Sequence, residues 1–276
     1  MQAIMMINSR NILIILTSFL LSSYPTVQAQ HIEVQSHLKK YYDQFNVEGT
    51  FVLYDQEADR YLVYNPALSD QAVTPASTFK ICHSLIGLET GNIEDENHII
   101  HWDSVERQLP IWNKDHDLKN AFKNSTVWYY QELAKTIGTS QMEDWLNKAQ
   151  YGNANTSGGI DRFWLSGGLR ITPKQQVDFL RRIHNYQLPF SKRSIDILKK
   201  IMVSNDTADF IVRSKTGLGQ QDNQNIGWYV GYIETKTNVY YFANCIQSKT
   251  IDYEHFINAR TEIVDLILRE LNLINE

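Results

Sequence analysis

The amino-acid sequence predicts an α/β protein of the α+β type, with one antiparallel sheet built from both ends of the chain. Runs rich in aromatic and β-branched residues occur up to residue 65 and again from residue 210, and both are typical of strands. Residues 92–190 carry mainly helical patterns. We therefore expect a sheet flanked by helices, with a mainly helical region inserted between its two halves.

The first predicted elements are a hairpin and a helix. Gly49–Asp55 and Arg60–Asn65 read as its strands, and the polar segment Gln56–Asp59 separates them. A helix is expected from Pro75 to Gly91, with Ser77 as a capping residue and the glycine as its end.

The later elements follow the same two periodicities. Apolar residues at helical spacing predict helices, and aromatic or β-branched runs bounded by polar residues predict strands. The predicted elements are helices over Ser140–Lys148 and Pro173–His184, strands over Phe210–Ser214, Gly227–Glu234 and Val239–Gln247, a turn over Thr235–Asn238, and a terminal amphipathic helix over Ile251–Leu271 with Phe256, Ile263 and Ile267 on one face.

Composition excludes several classes of protein. The chain has 276 residues, of which 43% are hydrophobic and 21% charged, as in ordinary globular proteins. A net charge of −5 gives no basic field for a phosphate backbone, so we expect no nucleic-acid partner.

The first 29 residues resemble a secretory signal peptide. Arg10 is their only charged side chain, Ile12–Leu21 is almost entirely apolar, and Val27–Ala29 resembles a signal-peptidase site. We predict residues 1–29 as the signal peptide and residues 30–276 as one mature domain, secreted or periplasmic, with no stable membrane association after cleavage. An uncleaved anchor is the alternative.

Cysteine and histidine residues indicate neither a disulfide framework nor a metal site. Cys82 and Cys245 lie in apolar stretches, which favours two buried thiols over a bridge between them. His98 and His101 form the one close histidine pair, without carboxylate or cysteine partners at ligand spacing. We expect no metal ion.

The sharpest local motif is Ser77-Thr78-Phe79-Lys80. Residues three apart share one helix face, so the lysine lies beside the serine and can accept its proton if burial keeps the amine neutral. Taken alone the pattern is weak, because a capped helix with a surface lysine gives the same sequence. Two later segments, Ser125-Thr126-Val127 and Lys215-Thr216-Gly217, supply the order S-x-x-K, S-x-V, K-T-G that is typical of penicillin-recognising serine enzymes.

With these motifs the sequence resembles the class D, oxacillinase-type, serine β-lactamases. The resemblance covers nearly the whole mature chain and implies the β-lactamase/transpeptidase-like fold. The further matching segments are Pro75–Ile81, Leu88–Gly91, Tyr151–Asn153, Phe163–Leu165, Leu169–Ile171 and Gly227–Gly231.

The resemblance implies hydrolysis of β-lactam antibiotics and assigns catalytic roles. Ser77 is the acylated nucleophile, and Lys80 is the general base after reaction with carbon dioxide to give N6-carboxylysine. Trp164 holds this carbamate through its indole N–H. Ser125 relays a proton to the lactam nitrogen, and Lys215 assists it. No added cofactor is implied beyond carbon dioxide.

The resemblance also implies the substrate-binding residues. Val127 gives an apolar wall beside the base, and backbone N–H groups of Ser77 and Leu218 form the oxyanion hole. Thr216 and Arg260 bind the substrate carboxylate, while Gly217 lets the acyl group lie against the strand. Leu218 stands where the family frequently has a larger aromatic residue.

Several alternatives remain open. Glu143-Asp-Trp-Leu-Asn147 fits the class A pattern for a deacylating glutamate, although Val127 favours class D and a solvent-facing Glu143. A penicillin-binding transpeptidase or carboxypeptidase, or a β-lactam sensor domain, would share acylation without rapid hydrolysis. Without the resemblance, Trp164 and Arg260 would be interpreted as core packing and a surface salt bridge.

Overall fold

The computed structural model describes residues 31–249 and 252–274, so the predicted signal peptide lies outside the described residues. The strands are β1 (His31–Val34), β2 (Glu48–Asp55), β3 (Arg60–Tyr64), β4 (Ile99–Ile100), β5 (His116–Asp117), β6 (Val203–Asp206), β7 (Phe210–Gln221), β8 (Gln224–Thr235) and β9 (Val239–Ser248). The helices are α1 (Lys39–Gln44), α2 (Pro66–Ser69), α3 (Lys80–Glu89), α4 (Leu118–Lys123), α5 (Val127–Ile137), α6 (Thr139–Ala149), α7 (Pro173–His184), α8 (Lys192–Ile201) and α9 (Tyr253–Glu270). Short 3₁₀ turns cover Ser36–Leu38, Ala76–Phe79 and Pro110–Trp112.

Seven strands form one sheet in the order β1-β3-β2-β9-β8-β7-β6. The two halves of the chain meet where β2 pairs antiparallel with β9, from Glu48 opposite Gln247 to Asp55 opposite Tyr240. Only β1 runs parallel to its neighbour within this sheet. The predicted sheet from both ends of the chain is therefore confirmed.

Successive side chains of the sheet point alternately into two apolar layers, one on each face. On β2, Val52 belongs to the layer shared with the inserted helical region, whereas Phe51 and Leu53 belong to the layer shared with α1 and α9. Phe256 and Ile263 on α9 are fully buried in the second layer. The predicted apolar face of the terminal helix is thus confirmed, and residue 251 of its predicted range lies outside the described residues.

The strand prediction was wrong at one functionally important place. The predicted strand covers Phe210–Ser214 and ends before the Lys215–Gly217 triplet, but β7 continues to Gln221. Pairing with β8 holds this polar, glycine-containing segment in the sheet, and a local pattern does not report such pairing. The sequence also gave no prediction for β1 or β6.

Other features of the described residues agree with the sequence or add to it. Cys82 in α3 and Cys245 in β9 are both buried and free, so the prediction of two buried thiols is confirmed. Within residues 31–249 and 252–274, no helix is long and apolar enough to cross a membrane.

Candidate active site

Ser77 lies in the 3₁₀ turn that leads into α3. The prediction that it caps this helix was wrong, because the backbone already turns at Pro75 and the Ser77 side chain makes no capping bond. Its hydroxyl instead accepts a hydrogen bond from Lys80 Nζ at 3.0 Å. Ala76 just before it has a φ of 48°, an uncommon conformation for a residue with a side chain. The turn therefore presents the hydroxyl to the lysine rather than to the helix end.

Two buried hydrogen bonds of Thr78 stabilise this turn. Thr78 Oγ1 donates to Pro75 O at 2.7 Å and accepts from Gln176 Nε2 of α7 at 2.8 Å. Buried hydrogen bonds of this kind restrict side-chain and backbone freedom. They fix the turn, and with it Ser77, against the helical layer.

Lys80 is a lysine with no exposed surface. Burial first, and the charge of Lys215 second, hold the pKa of its amine well below the usual value. Its Nζ also lies 5.0 Å from the centre of the Tyr130 ring. Among the described residues no carboxylate pairs with this amine, so the site favours its neutral form, which can accept a proton or react as a nucleophile.

Lys215 and Ser125 connect the sheet to the inserted region. Lys215 Nζ on β7 donates to Ser125 Oγ, which lies between α4 and α5, at 2.5 Å. Burial, and secondarily the charge of Arg260, lowers the pKa of Lys215 to about 7. Ser125 has a φ of 52°, which is an uncommon conformation for serine. The second serine of the predicted motifs thus faces the lysine of the third.

The edge of β7 is open beside the Ser77 turn. Ser214 N donates to Met202 O, and β6 pairs with β7 only over residues 211–213, so no strand covers that edge beyond Ser214. Alternate residues of an antiparallel strand point their N–H groups to the same side, which directs Leu218 N–H to the open edge. A side chain at Gly217 would approach Pro75 O within 3.1 Å, so glycine permits the close contact between strand and turn.

Arg260 reaches this strand from α9. Its Nη1 donates to Gly217 O at 2.9 Å and its Nε donates to Ile257 O at 2.9 Å. The guanidinium is partly buried and makes no ion pair with a described residue, so the interpretation as a surface salt bridge was wrong. Because Gly217 is the last residue of the Lys215–Gly217 triplet, this contact places the positive charge of Arg260 beside the triplet. Thr216 directly precedes the glycine.

Trp164 lies under the same turn. Its carbonyl accepts hydrogen bonds from Ala76 N and Thr74 Oγ1, both at 3.0 Å. Its ring is fully buried and packs with its centre 5.7 Å from that of Phe79. The indole Nε1 has no hydrogen-bond partner among the described residues. An unpaired buried donor costs about 1–3 kcal/mol, so core packing alone does not account for a tryptophan here.

Val127, Leu218 and Glu143 complete the predicted set. Val127 begins α5, two residues after Ser125, and is half-buried. The side chain of Leu218 packs in the layer that contains α9. Glu143 is exposed on α6 and accepts a hydrogen bond from Thr156 Oγ1, so the expectation of a solvent-facing residue is confirmed.

Sequence reasoning missed two side chains that surround Lys80, namely Tyr130 and His83. Tyr130 contacts the amine through its ring, and burial together with the charge of Lys80 lowers the pKa of His83 to about 3. The histidine could have been found, because residue 83 is three positions after Lys80 and shares its helix face. Tyr130 is distant in sequence and gave no such signal.

Comparison with known proteins identifies the class first. The chain matches the family model of the penicillin binding protein transpeptidase domain over residues 49–269. This is the class of protein in which a Ser-x-x-Lys turn, a second serine and a Lys-Thr-Gly strand meet at one sheet edge.

Relatives define the family within that class. The chain is 41% identical to the probable β-lactamase YbxI of Bacillus subtilis over 72% of this chain and 75% of the relative. It is 38% identical to β-lactamase OXA-48 of Klebsiella pneumoniae over 82% and 84%, respectively. A class D β-lactamase structure from Sebaldella termitidis is similar with a TM-score of 0.86 and 34% identity, covering 90% of this chain and all of that one. The chain belongs to the class D β-lactamases.

The two buried lysines predict an unusual dependence of stability on pH. Their pKa values are lowered by folding, so the unfolded chain binds more protons between the folded pKa values and the ordinary value of 10.5. The contribution of these lysines to the free energy of unfolding should therefore rise with pH between about 7 and 9, by about 1.4 kcal/mol per pH unit for each lysine. Above about pH 9 the buried thiols of Cys82 and Cys245, whose pKa values burial raises, act in the opposite sense. Lys80→Met should remove one such contribution in urea titrations under nitrogen.

The control for this measurement is Lys123→Met, because Lys123 is exposed at the end of α4. This variant should keep the wild-type slope of unfolding free energy against pH. An unchanged slope in Lys80→Met would contradict a neutral Lys80 in the folded protein.

Proposed function

We propose that the protein hydrolyses β-lactam antibiotics through an acyl-enzyme on Ser77. The serine oxygen attacks the lactam carbonyl carbon, its proton passes to a base, and the ring C–N bond then breaks. The observation that carries the proposal is the 3.0 Å contact between Ser77 Oγ and the fully buried Lys80 Nζ. A buried neutral amine next to a serine supplies what nucleophilic attack requires.

The base in this proposal is Lys80 carrying a carboxylate. Carbon dioxide adds to the lone pair of the neutral amine, a C–N bond forms, and one N–H proton leaves to water. The unpaired indole Nε1 of Trp164 supports this step, because a carboxylate in the same buried cluster would give that donor an acceptor. The class D family resemblance supports it independently.

Ser125 and Lys215 complete acylation. When the ring C–N bond breaks, the nitrogen needs a proton, and the Ser125 hydroxyl gives its own while Lys215 replaces it. The 2.5 Å hydrogen bond between Lys215 Nζ and Ser125 Oγ supports this relay. A Lys215 pKa of about 7 suits a group that both gives and receives a proton near neutral pH.

The open edge of β7 is the proposed substrate platform. Thr216 and the Arg260 guanidinium bind the carboxylate of the substrate, and Gly217 allows the acyl group to lie along the strand. Backbone N–H groups of Ser77 and Leu218 bind the oxyanion, and Val127 forms an apolar wall near the base. The open edge and the direction of Leu218 N–H support this placement.

Deacylation completes the cycle. The carbamate on Lys80 first gives up to solvent the proton that it took from Ser77, and Lys215 regains a proton from solvent. The carbamate then takes a proton from water, the resulting hydroxide attacks the ester carbon, and the ester bond to Ser77 breaks as that proton passes to the serine oxygen. Carbon dioxide is then the sole added requirement, with no metal or organic cofactor in the cycle. We also propose that residues 1–29 direct export, so that the enzyme acts outside the cytoplasm as a secreted or periplasmic protein without stable membrane association.

Ser77→Ala should abolish both hydrolysis and covalent labelling by penicillin, because the attacking oxygen is gone. Intact-protein mass spectrometry after incubation with benzylpenicillin measures the labelling, and a chromogenic β-lactam measures turnover. Ser140→Ala, at an exposed serine on α6, is the matched control and should retain both. A single penicillin adduct on the Ser77→Ala protein would show that another residue is the nucleophile.

The same assay separates a lactamase from the transpeptidase and sensor alternatives. Wild-type protein should release many equivalents of product. A stop at one equivalent, with a stable adduct, would contradict hydrolysis and favour one of those two alternatives.

The dependence of turnover on bicarbonate should distinguish a carbamate base on Lys80 from a glutamate base. In buffer freed of carbon dioxide, wild-type turnover should fall and return on addition of bicarbonate. Trp164→Phe, which keeps an aromatic ring but lacks the N–H, should need at least about tenfold more bicarbonate, matching about 1.4 kcal/mol for a lost hydrogen bond. For Trp164→Phe, stopped-flow measurements should show a burst of one equivalent of product, followed by slow turnover that bicarbonate accelerates.

Glu143→Gln is the control for the class A alternative and should leave turnover within about twofold of wild type, as expected for an exposed residue. A large loss of deacylation in Glu143→Gln would reverse the choice of base. Wild-type-like bicarbonate dependence in well-folded Trp164→Phe would remove the proposed role of the indole.

A further inference from the structure

His83 is a buried histidine without a hydrogen-bond partner. It lies on α3 and has no exposed surface. Neither Nδ1 nor Nε2 has a partner among the residues that the structure describes. Buried polar groups in folded proteins are nearly always paired, so two unpaired nitrogens on one ring require an explanation.

The surroundings of the imidazole are aromatic rather than polar. Its ring centre lies 5.2 Å from those of Phe79, Tyr130 and Trp164, and the contact with Trp164 is edge-on. The hydroxyl of Tyr130 is already engaged with Ser84 Oγ at 2.8 Å. None of these neighbours accepts a hydrogen bond from the histidine in the structure, and an apolar side chain of similar size would fill this space at lower cost.

The protonation state of His83 follows from the same burial. Burial first, and the adjacent Lys80 second, lower its pKa to about 3, so the ring is neutral at neutral pH. A neutral imidazole has one N–H donor and one acceptor nitrogen. The ring can therefore donate one hydrogen bond without carrying a charge.

His83 and Trp164 bring their unpaired donors to one cluster. The two rings touch, and both the Trp164 Nε1 and the His83 nitrogens lack partners. Lys80 lies one turn before His83 on the same face of α3, and its Nζ and the imidazole both contact the Tyr130 ring. An anion attached to the Lys80 amine would lie in the same aromatic cluster as these unpaired donors.

We propose that His83 is a positioning residue that donates a ring N–H hydrogen bond to the carboxylate formed on Lys80, alongside the indole of Trp164. The inference rests on the proposed carboxylation of Lys80 and extends it to a second donor. The hydrogen bond stabilises the carbamate relative to the free amine and carbon dioxide, so it sets how much bicarbonate the enzyme needs. It does not take part in bond making or breaking.

The test compares His83→Leu with His83→Asn. Leucine removes the donor and keeps apolar bulk, whereas asparagine keeps an N–H donor on a shorter side chain. Each protein is depleted of carbon dioxide at acid pH, returned to neutral pH, and titrated with bicarbonate while turnover of a chromogenic β-lactam is followed. His83→Leu should need about tenfold more bicarbonate for half-maximal turnover and should approach wild-type kcat at saturation. His83→Asn should lie within about threefold of wild type.

Two controls make the outcome specific. His37→Leu, at an exposed histidine beside Glu270, should keep the wild-type titration. Circular dichroism establishes that each variant is folded, and His83→Phe replaces His83→Leu if leucine prevents folding. A merely structural role would lower activity at every bicarbonate concentration without moving the midpoint.

Absence of carboxylation and absence of a role for His83 would give different results. If wild-type protein shows no bicarbonate dependence, the carboxylation itself is wrong and the role of His83 falls with it. If wild type is bicarbonate-dependent but a folded donor-free variant titrates identically, or loses activity that saturating bicarbonate does not restore, only the inference about His83 is overturned.

Discussion

The burial of Lys80 is the constraint on which the rest of the site depends. A lysine in water is protonated and can neither accept the proton of a serine nor react with carbon dioxide. Complete burial, with the Ser77 hydroxyl as its hydrogen-bond partner, lowers the pKa of the amine and so favours its neutral form. Keeping a lysine there costs folding free energy, and the two apolar layers of the fold supply the stability that permits it.

The fold arranges its remaining parts around that amine. Pairing of β2 with β9 joins the two ends of the chain into one sheet, and the Ser77 turn packs against β7 at Gly217, beside the open edge of that strand. Lys215 then reaches Ser125 from the sheet side, so one hydrogen bond joins the sheet to the inserted helical region. The positive charge of Lys215 also disfavours protonation of the Lys80 amine. Sheet topology and lysine chemistry are thus parts of one arrangement.

The sequence predicted the chemistry-bearing residues better than their surroundings. Ser77 and Lys80 could be paired because helical spacing is local, and β2, β3 and α7 could be located because their periodicity is strong. The full length of β7 could not, because the Lys-Thr-Gly segment becomes a strand only through pairing with β8. Nor could the aromatic enclosure of the amine by Tyr130, or the contact of Arg260 with Gly217 O, since both join residues distant in sequence.

The central claim is that Lys80 exists as a carbamate in the active protein, and carbon-13 NMR tests it directly. Protein equilibrated with ¹³C-labelled bicarbonate at neutral pH should show one carbamate resonance that disappears in Lys80→Ala and on acidification. A wild-type sample that hydrolyses a β-lactam at its full rate while showing no carbamate resonance would contradict the account.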